Sequence, residues 1–231
     1  LNESGYKRII DGNPAVISFN LSGSGKLQPL LSMAVPPDVK SKQLKEILRL
    51  SGIKSINERS MHGNTVLELP YALDAQHDTA YLSVISGLLI FSSAKELMDE
   101  AIIQTGLNDD VRSLPGFSRI IQASGKNEDK IFVIFRNLPD FIKPLLKKEF
   151  IATAGKIGKL AGCAGGDIYL SENGLILSGY TESLDSTEFL FKYKSGTPGL
   201  FHTYKILPSA TVLFESIVMN AAPEPVITGG T

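Results

Sequence analysis

The hydrophobic pattern of the first hundred residues predicts short strands and amphipathic helices. Residues 14–21 are apolar and β-branched, which predicts a strand. Residues 26–34 are predicted to form a short helix that ends at Pro36. Ser41 is then predicted to cap a second helix. The apolar positions of this helix recur at the spacing of one helical face, at Leu44, Ile47, Leu48 and Leu50.

Four strand-like segments follow, and turn residues join them in pairs. The segments are 54–61, 65–73, 79–85 and 88–92. Gly63-Asn64 and Ser86-Gly87 are short hairpin signals. Ser93 with Glu96 forms a capping-box pattern, which predicts that a helix begins there and runs to about residue 104.

The second half predicts a similar alternation of elements. In order these are a helix at 114–123, a strand at 131–135, a helix at 139–160 interrupted near Gly155, a hairpin of 167–172 with 175–181, a helix at 186–194 and a strand at 211–218. The strand IFVIF is continuously apolar, which predicts a central strand buried on both faces. Asn173-Gly174 is the strongest turn signal of the chain, because both residues tolerate positive φ.

These elements predict an α+β fold, with a mostly antiparallel twisted sheet and helices packed on it. Residues 206–220 echo residues 9–23, so we expect two related strand-helix-hairpin-helix units. The expected division is 1–110, 111–205 and a truncated tail or further unit at 206–231. The predicted core comprises Val16, Ile17, Phe19, Leu48, Leu67, Leu82, Val84, Leu89, Phe91, Phe132, Ile134, Leu145, Ile168, Leu170 and Leu177.

Composition narrows the classes of function. The 231 residues are 43% hydrophobic with a net charge of −1, as in an ordinary globular protein. No basic stripe is present, so nucleic acid is not an expected partner. The longest apolar stretch is eleven residues (81–91), whereas a membrane-spanning helix needs about 20. The chain does not begin with Met, and we expect a segment that has been trimmed.

Two glycine-rich segments share some residues with known motifs, one with a phosphate-binding loop and the other with a nucleophile elbow. Gly23-Ser24-Gly25-Lys26 resembles the end of a phosphate-binding loop, but Asn20 and Leu27 stand where that motif needs Gly and Ser or Thr. A turn is the better interpretation. Cys163 lies in AGCAGG, which lacks the leading Gly of a nucleophile elbow, and no motif connects it to a histidine base. It is predicted to be a buried, structural thiol.

The remaining polar residues predict no active site. His62, His77 and His202 lack the spacing of metal ligands. Asp109-Asp110 is predicted to cap or solvate a loop, and Glu58 with Glu68 could face across a hairpin. We therefore assign no catalytic, cofactor-binding or metal-binding residue.

Four segments resemble an uncharacterised domain family of Bacteroidetes-type envelope proteins. They are GLLIFSSAKELMDEAI (87–102), FSRIIQASGKNEDKIFVIFRNLPDFI (117–142), and DIYLSENGLILSGYTE (167–182) with ILPSATVLFES (206–216). The shared features are structural: hairpins, caps and proline turns. The resemblance implies a periplasmic or cell-surface protein, anchored as a membrane protein or lipoprotein through an N-terminal segment that this chain lacks. It implies no active-site residue.

The favoured function is a non-enzymatic extracytoplasmic module for binding or scaffolding, with another envelope protein as the expected partner. One alternative is a carrier with a lipid or other apolar ligand between sheet and helices. The other is an enzyme with a dispersed active site. A large apolar cavity would favour the carrier. Converging ionisable groups in a cleft would favour the enzyme. A filled core with an exposed apolar patch would favour the binding module.

Overall fold

The computed structural model describes residues 12–21, 25–73, 76–107, 110–125, 129–172 and 174–194, with the backbone of 197–198 and 219–220. It contains α-helices and strands that all pair antiparallel, which confirms the predicted α+β class. One compact unit comprises Leu1–Ser113 with Asp140–Leu145, and the other comprises Leu114–Pro139 with Leu146–Thr231. Apart from 219–220, the expected segment 206–231 lies outside the described residues.

The first unit is built on a six-stranded sheet with the strand order β1-β2-β6-β5-β4-β3. Its strands are β1 (Ala15–Leu21), β2 (Leu27–Ala34), β3 (Asn57–Met61), β4 (Asn64–Leu73), β5 (Gln76–Ile85) and β6 (Leu88–Ser92). Its helices are α1 (Ser41–Leu50), α2 (Lys95–Gln104) and the 3₁₀ turn Val111–Ser113.

The helix predicted at 26–34 is wrong, because these residues form strand β2. This strand lies between β1 and β6, and its side chains point alternately to two partly covered faces. A short apolar run of this kind cannot be distinguished from a buried helix by periodicity alone. Pro29 fits here because its β6 neighbour would be residue 93, beyond the end of that strand. The missing N–H therefore costs no ladder hydrogen bond.

The four predicted strands that follow are confirmed, and so are their hairpins. His62 and Gly63 have φ of 48° and 77°, and Ser86 and Gly87 have φ of 52° and 79°. These are two-residue turns with positive φ at both central positions. The first turn lies one residue earlier than predicted.

The predicted capping box at the start of α2 does not form. Ser93 Oγ instead donates to Gln28 Oε1 at 3.1 Å, and the backbone N–H of Ala94 donates to Ser92 Oγ at 3.1 Å. The helix that was expected after Ser93 is confirmed, beginning at Lys95.

The six-stranded sheet has apolar packing on both faces. Leu44 of α1 packs against one face with Leu67 and Leu82. Met98 of α2 packs against the other face with Val66 and Ile90. These side chains are nearly inaccessible to solvent, so the unit has a filled core on each side of its sheet.

Residues 114–194 contain short helices and a three-stranded sheet in the order β7-β8-β9. The strands are β7 (Lys130–Ile134), β8 (Cys163–Ser171) and β9 (Gly174–Glu182); the helices are α3 (Phe117–Ala123), α4 (Leu138–Ile142) and α5 (Ile151–Ile157). The 3₁₀ turns are Phe135–Asn137, Lys143–Leu145, Lys148–Phe150 and Phe189–Tyr193. Two-residue strands β10 (Thr197–Pro198) and β11 (Met219–Asn220) pair with each other.

Several predictions in this half need correction. The helix at 139–160 is interrupted at residues 146–147 and not near Gly155, because the backbone of Lys147 is extended, with a ψ of 152°. Gly155 lies inside α5, and the remainder consists of α4 and two 3₁₀ turns. The helix at 186–194 is a 3₁₀ turn. Strand β7 is at the edge of the described sheet and partly exposed, not central. The hairpin of β8 and β9 is confirmed, but Ser171 pairs with Gly174, so its two loop residues are 172 and 173, one residue earlier than predicted. Asn173 lies outside the described residues. The strand at 211–218 also lies outside them.

Seven residues of the predicted core are exposed to solvent. They are Val16, Ile17, Phe19, Phe132, Leu145, Leu170 and Leu177. Val16, Ile17 and Phe19 belong to the edge strand β1, where no neighbouring strand lies outside them in the described part of the sheet. Leu67 and Leu82 are buried, as predicted.

The relation between the two units stays a prediction. The order strand, helix, hairpin occurs as β2, α1, β3–β4 and again as β7, α4–α5, β8–β9. The pairing differs, because β7 pairs with β8 of its hairpin whereas β2 pairs with β1 and β6.

Candidate binding surface

One face of the three-stranded sheet is closed by helix α3. Phe117 and Ile120 of α3 form a buried cluster with Cys163 of β8. The Phe117 ring also lies 5.4 Å from the Phe132 ring of β7, measured between centroids. This face therefore carries the apolar core of the sheet.

The opposite face is an open, mostly apolar shelf. Successive side chains of a strand point to opposite faces. Because Cys163 points toward α3, its neighbour Ala164, every second residue of β8 after it, and their partners in β7 and β9 lie on this face. A pocket of about 280 Å³ lies here, and the side chains on its floor and walls include Ile131, Val133, Ala164, Leu177 and Thr181.

Two glycines flatten the centre of this shelf. Gly166 of β8 and Gly179 of β9 are cross-strand partners. A Cβ built on either glycine would lie 2.5 Å from the Cα of the other, far inside van der Waals contact. The two backbones approach so closely that neither position has room for a side chain.

The far end of the hairpin exposes apolar side chains on both of its faces. We call this region the hairpin surface; it consists of Tyr169, Leu170, Leu175, Ile176 and Leu177. Leu170, Leu175 and Leu177 point to the shelf side, while Tyr169 and Ile176 point to the other side. Leu170 is the extreme case, with 83% of its side chain accessible to solvent.

An apolar group of this kind is informative because scattered single hydrophobic residues are normal, whereas contiguous ones are not. The five residues are neighbours in two paired strands. Tyr169 adds a ring with a polar end, and aromatic residues of this type are enriched in protein interfaces. The hairpin surface is therefore the candidate binding surface of the second unit.

The first unit has a larger groove, and its lining is charged. This groove has a volume of about 550 Å³ and is lined by Ser41, Lys42, Lys45, Glu46, Arg49, Glu58 and Thr65. Lys45 forms an ion pair with Glu58 across the groove. The hydrogen bond and positive charge of Lys45 lower the pKa of Glu58 below its ordinary value. Such a lining does not suit an apolar ligand.

The predicted carboxylate pair Glu58 and Glu68 is separated by the sheet. Glu58 is opposite Leu67 and Glu68 is opposite Asn57, so the two side chains point to different faces. Glu68 forms an ion pair with Arg59 at 2.5 Å. Each carboxylate thus has a basic partner of its own, and the two do not form an acid–base pair.

Asp110 behaves as the sequence predicts, and Asp109 lies outside the described residues. Asp110 accepts hydrogen bonds from the guanidinium and from the backbone N–H of Arg112, which lower its pKa to about 2. This carboxylate is fully ionised at neutral pH and anchors the 3₁₀ turn that follows.

The described histidine and glycine-rich segments form no recognisable reactive site. His62 Nε2 lies 2.9 Å from Asp99 Oδ1 in an exposed pair. The side chain of His77, and His202, lie outside the described residues. So do Gly23 and Ser24, while Gly25 has a φ of 73°, as in a turn. Among the described residues, no three His, Cys, Asp or Glu side chains are grouped as a metal ion would require.

Cys163 is buried at the junction of α3 and the sheet. Its side chain packs against Phe117 and Ile120. Burial raises the pKa of the thiol, and the negative charges of Glu182 and Glu188 raise it further, while Arg119 acts weakly in the opposite direction. A thiol in this environment stays protonated, which is the reverse of what a nucleophile needs.

We expect Cys163 to be chemically quiet. A bulky thiol reagent should modify it slowly in the native protein and rapidly in denaturant. Cys163→Ala should lower the free energy of unfolding by about 1 kcal/mol, because it removes one packed sulfur atom. Labelling kinetics and chemical denaturation measure the two effects, and rapid labelling under native conditions would contradict the assignment.

Asp167 is the most buried charged residue that the structure describes, with 5% of its side chain accessible. Its Oδ1 atom lies 2.8 Å from Lys130 Nζ, and its Oδ2 atom accepts a hydrogen bond from Tyr169 at 3.2 Å. Lys130 also donates to the carbonyl of Gly125 at 2.6 Å. The group fastens the end of α3 and its following loop to β7 and β8.

Sequence reasoning missed the hairpin surface because it assigned Leu170 and Leu177 to the core. A signal was present: Leu175, Ile176 and Leu177 are consecutive apolar residues, which interrupts the alternation of a half-buried strand. Such a run requires cover on both faces, and α3 is too short to cover the hairpin to its end.

Comparisons of the chain with protein-family models, with curated proteins and with solved structures gave no match. No helix among the described residues has both the length and the hydropathy to cross a bilayer. The resemblance to envelope proteins therefore stays a prediction from the sequence.

Proposed function

We propose that this protein is a non-enzymatic binding or scaffolding module of the cell envelope, and that the hairpin surface is where it binds a protein partner. The observation that carries the proposal is the exposure of five neighbouring apolar side chains on both faces of one hairpin. Burial of apolar surface is the main driving force of protein association, and the hairpin presents that surface without a change in fold.

The shape of this region favours a protein over a small apolar ligand. The shelf beside the hairpin is open and floored by the backbone of Gly166 and Gly179. Ligand-binding cavities usually enclose most of their ligand and have volumes of about 300–1,000 Å³. A flat apolar surface suits the side chains of another folded protein better.

The two alternatives gain less support from the same residues. A lipid carrier needs a large apolar cavity, and the larger groove of the first unit is lined by lysine, arginine and glutamate. An enzyme needs converging groups of perturbed pKa. Glu58, Glu68 and Asp110 each pair with a basic residue instead of with one another.

Location in the envelope is part of the proposal and rests on the resemblance of residues 80 onward to envelope proteins. An anchored extracytoplasmic module would meet its partner at high local concentration, so a modest apolar surface is sufficient for association. The internal repeat is likewise proposed, from the shared order of strand, helix and hairpin.

A photo-crosslinking amino acid at Leu170 of the full-length protein, in its native cells, tests this function. We expect a discrete protein adduct in the envelope fraction, because Leu170 would lie within the interface. The matched control is the same amino acid at Leu50, which is also exposed, at 67%, but belongs to helix α1 of the first unit. Leu50 should give no such adduct.

Three outcomes would contradict the proposal. Identical adducts from both positions would show non-specific contact. Recovery of the protein in the cytosol would exclude the envelope location. A lipid that co-purifies in a one-to-one ratio and is released by Leu177→Asp would favour the carrier.

A further inference from the structure

The two edges of the six-stranded sheet differ sharply in character. Strand β3, at one edge, reads Asn-Glu-Arg-Ser-Met, and its Glu58 and Arg59 each form an ion pair. Strand β1, at the other edge, reads Ala-Val-Ile-Ser-Phe-Asn-Leu and contains no charge. The difference matters because an edge strand presents backbone donors and acceptors that pair readily with another strand.

Edge strands that must stay unpaired usually carry a protective feature. Such features are inward-pointing charges, lysine, proline, bulges or a covering element. Strand β3 has charges of this kind. Strand β1 has no charge, proline or bulge within Ala15–Leu21. The Phe141 ring packs against Phe19, yet the side chains of Val16, Ile17, Phe19 and Leu21 stay exposed.

The backbone of β1 is oriented to accept a further strand. The N–H of Ala34 donates to the carbonyl of Pro14 at 3.2 Å, so Pro14 and Ala34 are a hydrogen-bonded pair. In an antiparallel ladder such pairs alternate. Residues 16, 18 and 20 therefore bond toward β2, and the N–H and C=O groups of Ala15, Ile17, Phe19 and Leu21 point away from the sheet.

We propose that β1 pairs antiparallel with β1 of a second copy of this chain, with Ser18 on the two-fold axis. In this register Ile17 lies opposite Phe19 of the other copy, and Ala15 lies opposite Leu21. Every outward-pointing residue then meets an outward-pointing residue, so the ladder hydrogen bonds form along the whole strand. The two sheets become one continuous sheet.

The side chains of β1 favour a second copy as the occupant. Ile17 and Phe19 point to the same face of the sheet, so an aliphatic and an aromatic side chain pair twice across the two-fold axis. Val16 lies opposite Asn20 on the other face. Because the strand is uncharged, self-pairing brings no like charges together, which would otherwise oppose a symmetric contact.

The dimer should be reversible. Contact along one strand covers less than the ~1,200–2,000 Å² of a standard stable interface. We therefore expect dissociation in the micromolar range, visible as an increase in sedimentation coefficient with concentration.

Sedimentation velocity of the whole chain measures this equilibrium, and Ile17→Lys should weaken it at least tenfold. Ile17 suits the substitution because it is 64% exposed, whereas the Phe19 ring also contacts Phe141 at 5.5 Å. Leu50→Lys adds the same charge at a similarly exposed position of the same unit and should leave the dimer unchanged. An unaltered circular dichroism spectrum and melting temperature would show that Ile17→Lys still folds.

A disulfide trap tests the register directly. Ser18 would face its own copy in a non-hydrogen-bonded pair with Cα atoms about 4.5 Å apart, a distance that a disulfide spans. In a Cys163→Ala background, Ser18→Cys should therefore form a covalent dimer on mild oxidation. Asn20→Cys should not, because its opposite residue is Val16. A protein that stays monomeric at all concentrations, a dimer that Ile17→Lys does not weaken, or equal crosslinking at both positions would overturn the proposal.

Discussion

Gly166→Ala should lower the free energy of unfolding by about 3 kcal/mol or more, and the loss should be confined to the sheet of β7, β8 and β9. The added Cβ would lie 2.5 Å from Gly179 Cα and against the carbonyl of Ser178. Both obstacles are backbone atoms, so no side-chain rotation can relieve the overlap. The strands must separate, which weakens the ladder between them and the shelf that lies on it.

Guanidinium denaturation followed by circular dichroism measures this loss, and hydrogen exchange of the β8 and β9 amides locates it. Gly155→Ala is the matched control. Gly155 lies in helix α5, and a Cβ there would meet nothing within 4 Å apart from its own helix. That variant should gain about 0.5–1 kcal/mol, because alanine loses less backbone entropy than glycine in a helix. An unchanged midpoint for Gly166→Ala would mean that the two strands separate without cost.

The elements that the sequence predicts correctly are those encoded by neighbouring residues. Ser86-Gly87 marks a hairpin because both of its residues must tolerate positive φ, and both have it. Asn173-Gly174 indicates the second hairpin within one residue of its actual turn. Helix α1 is recognisable because Leu44, Ile47 and Leu48 repeat at helical spacing, and the structure directs them into the core. Leu50, which was predicted on the same face, is exposed because it lies at the last residue of the helix. Turn chemistry and periodicity are local, so the chain itself contains the necessary information.

The elements that sequence reasoning misses depend on distant neighbours. The apolar pattern of residues 27–34 is compatible with a helix and with a strand. Only the position of these residues between β1 and β6 makes them a strand. Ile17 and Leu170 have the pattern of core residues, yet each lies where the described elements provide no cover. Periodicity identifies the apolar face of a strand, but it does not say which element covers that face.

The candidate site illustrates the same limit. The hairpin surface consists of residues that composition and motif analysis treat as ordinary core, and it contains no chemical signature. Its glycine floor depends on the alignment of Gly166 with Gly179, which requires the turn to lie at residues 172–173. The turn that the sequence predicts, at 173–174, would place residue 181 opposite Gly166 instead. The sequence predicts the hairpin that contains the surface, but only the structure shows that the apolar side chains of this hairpin are exposed to solvent.

Removal of the buried carboxylate should be the second most damaging change. Asp167→Ala should lower the free energy of unfolding by about 2–3 kcal/mol, because it leaves the ammonium of Lys130 partly buried without its counter-ion. This expected loss of stability is smaller than that for breaking a fully buried ion pair, because 27% of the Lys130 side chain is accessible to water. Tyr169 would lose its hydrogen-bond acceptor as well.

Chemical denaturation of a double-mutant cycle separates the ion pair from the burial of its groups. Lys130→Met should cost nearly as much as Asp167→Ala, because it removes the counter-ion of a carboxylate that is more deeply buried than the lysine. The double variant Lys130→Met with Asp167→Leu should recover much of the loss, since apolar groups of similar size often replace a buried ion pair at little cost.

The control pair is Asp140 with Lys143, which has nearly the same separation, 2.7 Å, but is exposed. Asp140→Asn should change stability by less than about 0.5 kcal/mol. Equal losses at the buried and the exposed pair would show that burial does not set the strength of the Asp167 interaction, and the role assigned to it in fastening α3 to the sheet would be wrong.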